Sequence, residues 1–213
     1  MKKESLRERA YHSIKEDIIT LKLRPGSFLD REALQKSLGI GITPMREALL
    51  QLQAENLVTL DANKGFFVKS IDFTDIQEVI ENRLYLERYT SFLASSRITE
   101  KQAEELEKYI TANAESIAKN KYRRVMFDAE VHLAIARSAN NSQLYRIMSS
   151  LYTECQRIWF MSQYNENSDY AIHMHIDLLT HLRKHDWEKT EQCIIAHNIS
   201  FRENVSSYFQ KML

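Results

Sequence analysis

The sequence has 213 residues with 29 basic and 29 acidic side chains, so its formal net charge at pH 7 is zero, and 44% of the residues are hydrophobic. This length suits one large domain or two small ones, and no apolar run approaches the roughly 20 residues that a membrane-spanning helix requires. The N-terminal segment MKKESLRERAYHS is charged and lacks the apolar stretch of a signal peptide. Because the two cysteines show no metal or redox spacing, we expect reduced thiols and a cytoplasmic protein without a membrane partner.

The zero net charge is an average over two unlike parts. Residues 1–70 carry 12 lysines and arginines against 9 acidic residues, a net charge of +3, and residues 71–213 carry 17 against 20, a net charge of −3. All four glycines and both prolines lie between residues 25 and 65. Since these residue types interrupt helices, the sequence predicts two domains: residues 1–70, rich in turns, and residues 71–213, built from helices joined by polar corners.

The first domain has the pattern of three helices followed by a β-hairpin. Apolar residues recur at helical spacing over residues 5–22, and Asp30 is a suitable N-cap for the helix REALQKSL. Thr43 and Pro44 predict the start of the third helix, as its N-cap and its first helical residue. The segments LVTL and FFVKS then flank DANKG, a five-residue hairpin loop that ends in glycine.

This order of elements predicts a winged helix-turn-helix, whose third helix enters a DNA major groove with its N-terminal residues nearest the base edges. Arg46 lies one turn into that helix and can read guanine through two hydrogen bonds. The Thr43 hydroxyl and the helix N-terminus can hold a backbone phosphate, and Lys64 and Gly65 at the wing tip would reach phosphate or the minor groove. Winged helices also dock proteins, and a net charge of +3 is modest, so that role stays open on pattern alone.

The segment IITLKLRPGSFLDREALQKSLGIGITPMREALLQLQAENLV, with the later GFFV, resembles the DNA-binding domain of the GntR family of bacterial transcription regulators over residues 10–68. The resemblance implies DNA-contact positions at four residues: Arg31, Thr43, Arg46 and Gly65. One departure is Ile42, which stands where the family has a base-reading arginine, and isoleucine cannot donate a hydrogen bond to guanine. Either the operator differs from the usual family sequence there or binding is weaker, and Ile42 can instead touch a thymine methyl.

Six helices are expected in the second domain, at residues 73–96, 99–118, 121–139, 142–163, 168–184 and 186–211. Thr74 and Thr99 are expected to cap the first two, Thr99 together with Gln102 in a capping box. Six helices without a strand predict an antiparallel bundle. The expected fold class is therefore mainly α, with an N-terminal winged helix-turn-helix followed by an antiparallel six-helix bundle.

Helical spacing places five polar residues on the inner faces of four of these helices: Arg83, Asp128, His132, His175 and His197. Burying any of them without a partner would cost several kcal/mol. The aspartate and the three histidines can satisfy one another by coordinating a divalent metal, with one position left for water or a ligand. Zn²⁺ is favoured, and Ni²⁺, Mn²⁺ and Fe²⁺ stay open, as does a hydrogen-bonded polar core. The other histidines are expected at or near the surface: His12, His173, His181 and His185.

Two segments of this domain resemble the FCD effector domain of the FadR-like branch of GntR regulators. FDAEVHLAIARSANNSQL is similar to its first signature and HIDLLTHLRKHDWEKTEQCIIAH to its last, and the number of helices suits the VanR-like subgroup. The resemblance implies four metal ligands: Asp128, His132, His175 and His197. It also implies that the metal anchors a small carboxylate effector. Arg83 is the first candidate to bind the other end of that effector and Arg157 the second. The alternative for Arg83 is a salt bridge to Glu87.

The expected function is that of a transcription regulator, a repressor, whose affinity for a double-stranded DNA operator is controlled by the carboxylate. A two-fold symmetric operator requires a homodimer, which the family forms through the bundle. A direct metal sensor and a metal-dependent enzyme are the alternatives. The enzyme is disfavoured because no HExxH segment is present and no inward glutamate stands out as a general base.

Overall fold

A computed structural model of the protein describes the backbone of residues 4–162 and 168–210, and the side chains of the same residues except 168–171. The chain divides into two compact units, Met1–Phe73 and Thr74–Leu213. The first is a winged helix-turn-helix and the second is helical, which confirms the predicted fold class.

From residue 4 onward, unit 1 contains three helices and a two-stranded antiparallel sheet: α1 (Leu6–Ile19), α2 (Arg31–Leu38), α3 (Ile42–Ala54), β1 (Val58–Asp61) and β2 (Gly65–Val68). Asp30 caps α2 as predicted, because its Oδ1 accepts hydrogen bonds from the amides of Glu32 and Ala33. The core of the unit is apolar and joins all three helices, the sheet and the loop before α2; its fully buried residues include Ile14, Ile18, Leu29, Met45 and Leu49.

Two details of unit 1 differ from the sequence expectations. The N-cap of α3 is Gly41 rather than Thr43, so the helix begins at Ile42 and Pro44 is its third residue. Proline is tolerated there because the first amides of a helix lack intrahelical acceptors. The hairpin loop is also shorter than five residues, since Asp61 pairs with Gly65 across the sheet. The Asp61 carboxylate closes the turn by accepting from the amides of Asn63 and Lys64.

Unit 2 contains six helices among the residues described: α4 (Phe73–Arg97), α5 (Glu100–Lys119), α6 (Lys121–Ser138), α7 (Ser142–Met161), α8 (Ser168–Arg183) and α9 (Trp187–Gln210). The capping box of Thr99 and Gln102 is confirmed. Thr74 is not an N-cap, because α4 already begins at Phe73. None of the described helices is long and apolar enough to cross a membrane.

Candidate metal centre and nucleic-acid interface

Four polar side chains from three helices meet in the interior of unit 2. Asp128 and His132 lie one turn apart on α6, His175 lies on α8 and His197 on α9. All four are buried, and each offers one ligand atom within 4.8 Å of the others. Helical spacing predicted that these four side chains point inward, and the structure brings them together in one cluster.

The Asp128 carboxylate lies at the middle of the cluster. Its Oδ1 is 3.2 Å from His197 Nε2, 3.4 Å from His175 Nε2 and 3.9 Å from His132 Nε2. The Nε2 atoms of His175 and His132 are 3.4 Å apart. Three imidazoles therefore direct the same ring nitrogen toward one carboxylate oxygen.

This donor set fits a divalent metal ion. Ligand atoms of a tetrahedral zinc site with bonds of about 2.0–2.1 Å are about 3.3 Å apart, close to the shorter separations here. Imidazole and carboxylate together suit Zn²⁺, Ni²⁺, Mn²⁺ and Fe²⁺. In addition, Asp128 Oδ2 has no hydrogen-bond partner among the described residues, so the buried carboxylate retains an acceptor for a cation or its ligand.

A buried ion pair on α4 adjoins the cluster. Arg83 Nε donates to Glu87 Oε1 at 2.7 Å, and both side chains are almost fully buried. Arg83 Nη2 lies 2.6 Å from His197 Nε2 and 3.6 Å from Asp128 Oδ2. The guanidinium also packs against three aromatic rings, those of Tyr152, Trp159 and Phe201.

Glu87 connects this ion pair to the histidines. Its carboxylate accepts hydrogen bonds from Tyr152 Oη and, at 2.7 Å, from Asn198 Nδ2. Its Oε1 lies 3.7 Å from His132 Nδ1, so its charge favours a proton on Nδ1 and leaves Nε2 for a metal. Glu87 is therefore an inward glutamate, which the sequence had offered only as a salt-bridge partner of Arg83.

The pKa shifts favour the protonation states that metal ligands need. Burial lowers the pKa of His132 to about 3 despite the nearby carboxylates of Glu87 and Asp128, so the ring is neutral at pH 7. Burial alone would raise the pKa of Glu87, but the Arg83 guanidinium acts together with His132, His197 and the hydrogen bond from Tyr152 and brings the pKa down to about 2. A neutral imidazole beside an ionised carboxylate can bind a cation without first losing a proton.

The two arginines predicted to bind an effector are both fully buried but differ in surroundings. Arg83 adjoins the cluster, and its Nη1 has no hydrogen-bond partner among the residues described. The alternative interpretation of Arg83, a salt bridge to Glu87, is also correct. Arg157 Nη1 donates to Glu154 on the same helix at 2.8 Å. Of the remaining histidines, His12, His173 and His185 are exposed and His181 is half-buried, as expected.

The predicted DNA-contact residues lie on the surface of unit 1. Arg31, Thr43, Arg46 and Lys64 are exposed, whereas Gly65 is half-buried. Gly65 has φ +100°, and a Cβ there would come within 3.3 Å of the Phe28 ring. Phe28 in turn packs edge-on against Phe67 of β2, with ring centroids 5.4 Å apart. The aromatic pair therefore supports the wing next to its tip, where Lys64 is located.

Comparison with known proteins agrees with this architecture. The profile of the bacterial regulatory proteins of the gntR family matches residues 6–68, and the profile of the FCD domain matches residues 78–199. The chain belongs to the GntR family. It is a DNA-binding transcription regulator with an FCD effector domain, and its matched domains and relatives are those of regulators rather than enzymes.

This GntR regulator has relatives that match most of its length. It is 26% identical over 179 residues to the Nta operon transcriptional regulator of Aminobacter aminovorans, covering 84% of each chain. It is 20% identical to the HTH-type transcriptional repressor RspR of Escherichia coli K12, covering 98% of this chain and 92% of RspR. The solved structure of E. coli McbR/YncC matches with a TM-score of 0.82 at 22% identity, over 99% of this chain and 100% of that one. At that identity the last match shows the shared fold alone.

Proposed function

We propose that this protein is a repressor whose operator affinity is controlled by a small organic acid bound beside a divalent metal ion in unit 2. Asp128, His132, His175 and His197 would hold the ion, which would supply a Lewis-acid position for one carboxylate oxygen. Because the target is chromosomal DNA, the proposed site of action is the cytoplasm.

The observation that carries this proposal is the position of Arg83 beside the four clustered ligands. Its Nη1 is buried and lacks a hydrogen-bond partner among the described residues, and leaving such a donor unsatisfied is costly. A guanidinium binds a carboxylate through charge-assisted hydrogen bonds. Since Arg83 Nη2 is only 3.6 Å from Asp128, one acid could contact both the arginine and the ion.

The proposal is tested by titrating a promoter fragment from the gene neighbourhood with the purified protein, with and without candidate acids and with metal content measured in parallel. A metabolite-controlled repressor releases DNA when an acid is added to metal-loaded protein. A release driven by metal alone would identify a metal sensor instead. Tighter DNA binding on addition of the acid would contradict the assignment as a repressor relieved by its effector.

We expect Arg46→Ala to reduce affinity for the promoter fragment by about 5- to 150-fold, since one good bidentate base contact contributes about 1–3 kcal/mol. Arg46 is exposed one turn into α3, so its removal should not perturb the core. Gel retardation measures the effect, and Arg7→Ala, an exposed arginine on α1, is the matched control. Equal affinity of the Arg46 variant and the wild type would show that another residue reads the bases.

Homodimerisation is the second part of the proposal, and an exposed aromatic stripe on α4 supports it. Tyr85, Tyr89 and Phe92 are 67%, 53% and 47% exposed and follow one another at helical spacing along α4. Large aromatic side chains in one exposed row are typical of protein interfaces. The partner at this surface would be a second copy of the chain, because a two-fold symmetric operator is bound by a dimer.

We expect the double variant Tyr85→Glu/Tyr89→Glu to be monomeric, because it places charges at the centre of the proposed contact. Light scattering during gel filtration gives the mass, and circular dichroism checks that the bundle is intact. Ile147→Glu on α7 changes a residue that is also exposed, 52%, and serves as the control. If the double variant remains dimeric, the dimer interface must lie on another face of the bundle.

A further inference from the structure

Ile42 is an exposed isoleucine at the start of the DNA-reading helix. It is the first residue of α3 and is 71% exposed. The buried side of α3 consists of other residues, Met45, Ala48, Leu49 and Leu52, all with no exposed surface. Ile42 therefore contributes little to the core of unit 1.

The residue before Ile42 is exposed as well. The preceding residue, Gly41, is the N-cap and makes no side-chain capping bond, and a Cβ built on it would meet nothing within 4 Å. Arg46 is one helical turn further along on the same exposed side. An apolar group and a cation thus lie side by side at the end of the helix that approaches the base edges.

The chemistry of the major groove limits what Ile42 can recognise. An isoleucine has no donor or acceptor for the polar base edges. The C5-methyl group of thymine is the apolar feature among the base edges displayed in that groove. Burying Ile42 against this methyl would remove apolar surface of both groups from water. Next to it, Arg46 would neutralise phosphate charge or bind a guanine.

From this arrangement we infer that Ile42 is a specificity-determining residue that selects a thymine in each operator half-site by contact with its methyl group. The inference rests on the DNA-binding function and adds to it the base type preferred at one position. Under this inference Ile42 contributes to base recognition itself, and is more than the loss of the hydrogen bonds that an arginine at this position would donate.

The first step of the test is to select the operator from a random duplex library with the full-length protein. Each thymine of the selected half-site is then replaced singly by deoxyuridine, which removes only the methyl group. One replacement is expected to weaken wild-type binding about four-fold per half-site, the equivalent of ~0.8 kcal/mol for one buried methyl-sized group. The same replacement should have no effect on Ile42→Ala.

Two further variants complete the test. Ile42→Arg should shift the selected base at that position from thymine toward guanine. Leu60→Ala, at an apolar residue of β1 that is 46% exposed, should retain the full deoxyuridine effect. The inference is overturned if no deoxyuridine replacement weakens the wild type, or if the loss persists in Ile42→Ala. Selection of no sequence at all by the wild type would overturn it too, and would separately count against specific operator binding.

Discussion

Replacing His175 and His197 together by alanine is expected to abolish the binding of the one metal ion that each wild-type chain would hold. The response of operator binding to acids should be lost with it. The two imidazoles come from α8 and α9, and each approaches Asp128 Oδ1 to within 3.4 Å. Changes in residues that merely orient ligands cost about 10–100-fold in metal affinity, so the loss of two ligands should exceed about 100-fold. Elemental analysis of protein purified with added metal measures the ratio.

His173→Ala provides the matched control, because His173 lies on the same helix two residues before His175 and is exposed. That variant should keep wild-type metal content. The histidine double variant should also keep basal DNA binding, since its substitutions lie in unit 2. Full metal content in the double variant would mean that the cluster is a hydrogen-bonded polar core.

Glu87→Gln is expected to destabilise the protein and to weaken its metal binding at the same time. Removing one charge of a buried pair costs about 3–5 kcal/mol because the other charge is left uncompensated, and Arg83 and Glu87 are 0% and 1% exposed. Glutamine keeps the shape of glutamate, so we expect about 3 kcal/mol, the lower end of that range. Metal affinity should fall about 10–100-fold, because the charge facing His132 Nδ1 is lost.

Urea unfolding measures the first effect, and competition with a chelator measures the second. Glu191→Gln is a suitable control, since Glu191 pairs with another arginine of α4, Arg88, in a partly exposed setting, where such pairs contribute at most about 1 kcal/mol. The visible spectrum of cobalt-loaded protein adds a readout that general destabilisation would not change. An unaltered spectrum and unaltered metal affinity would limit Glu87 to balancing the charge of Arg83.

The sequence allowed prediction of the cluster because α6, α8 and α9 each bury one face, and helical spacing identifies that face. Asp128 and His132 share a face at four-residue spacing, and His175 and His197 interrupt apolar stripes that are otherwise core. What spacing cannot give is the distance between side chains on different helices. The convergence on Asp128 Oδ1 depends on how the helices pack, which the sequence pattern does not specify.

Glu87 shows the complementary limit of sequence analysis. An arginine followed four residues later by a glutamate is the usual pattern of an exposed helix pair, and the pair formed by Lys101 and Glu105 of α5 is indeed exposed. The same local spacing is buried on α4, because Tyr152 and Asn198 from other helices supply hydrogen bonds to the carboxylate. The sequence did offer Glu87 as a partner for Arg83, and the inward position assigned to Arg83 implies that Glu87 is buried with it.

The start of α3 was misplaced for a different reason. Thr43 and Pro44 form a favourable start signal, but Gly41 takes the cap position and extends the helix by two residues. The shift makes Ile42 the first residue of the helix, where its side chain is 71% exposed. Local propensity located the helix correctly and left its first turn undetermined.

Three separate helices contribute to the aspartate–histidine cluster, and Arg83 lies on a fourth. This arrangement has a practical consequence for identifying the proposed effector. A compound that bridges these helices binds only the folded bundle, and at 100 times its dissociation constant it adds about 2.7 kcal/mol to the free energy of unfolding. For a chain of this size that corresponds to a rise of about 5–10 °C in melting temperature. A library of acids can therefore be ranked by dye-monitored melting of the metal-loaded protein before any target gene is known.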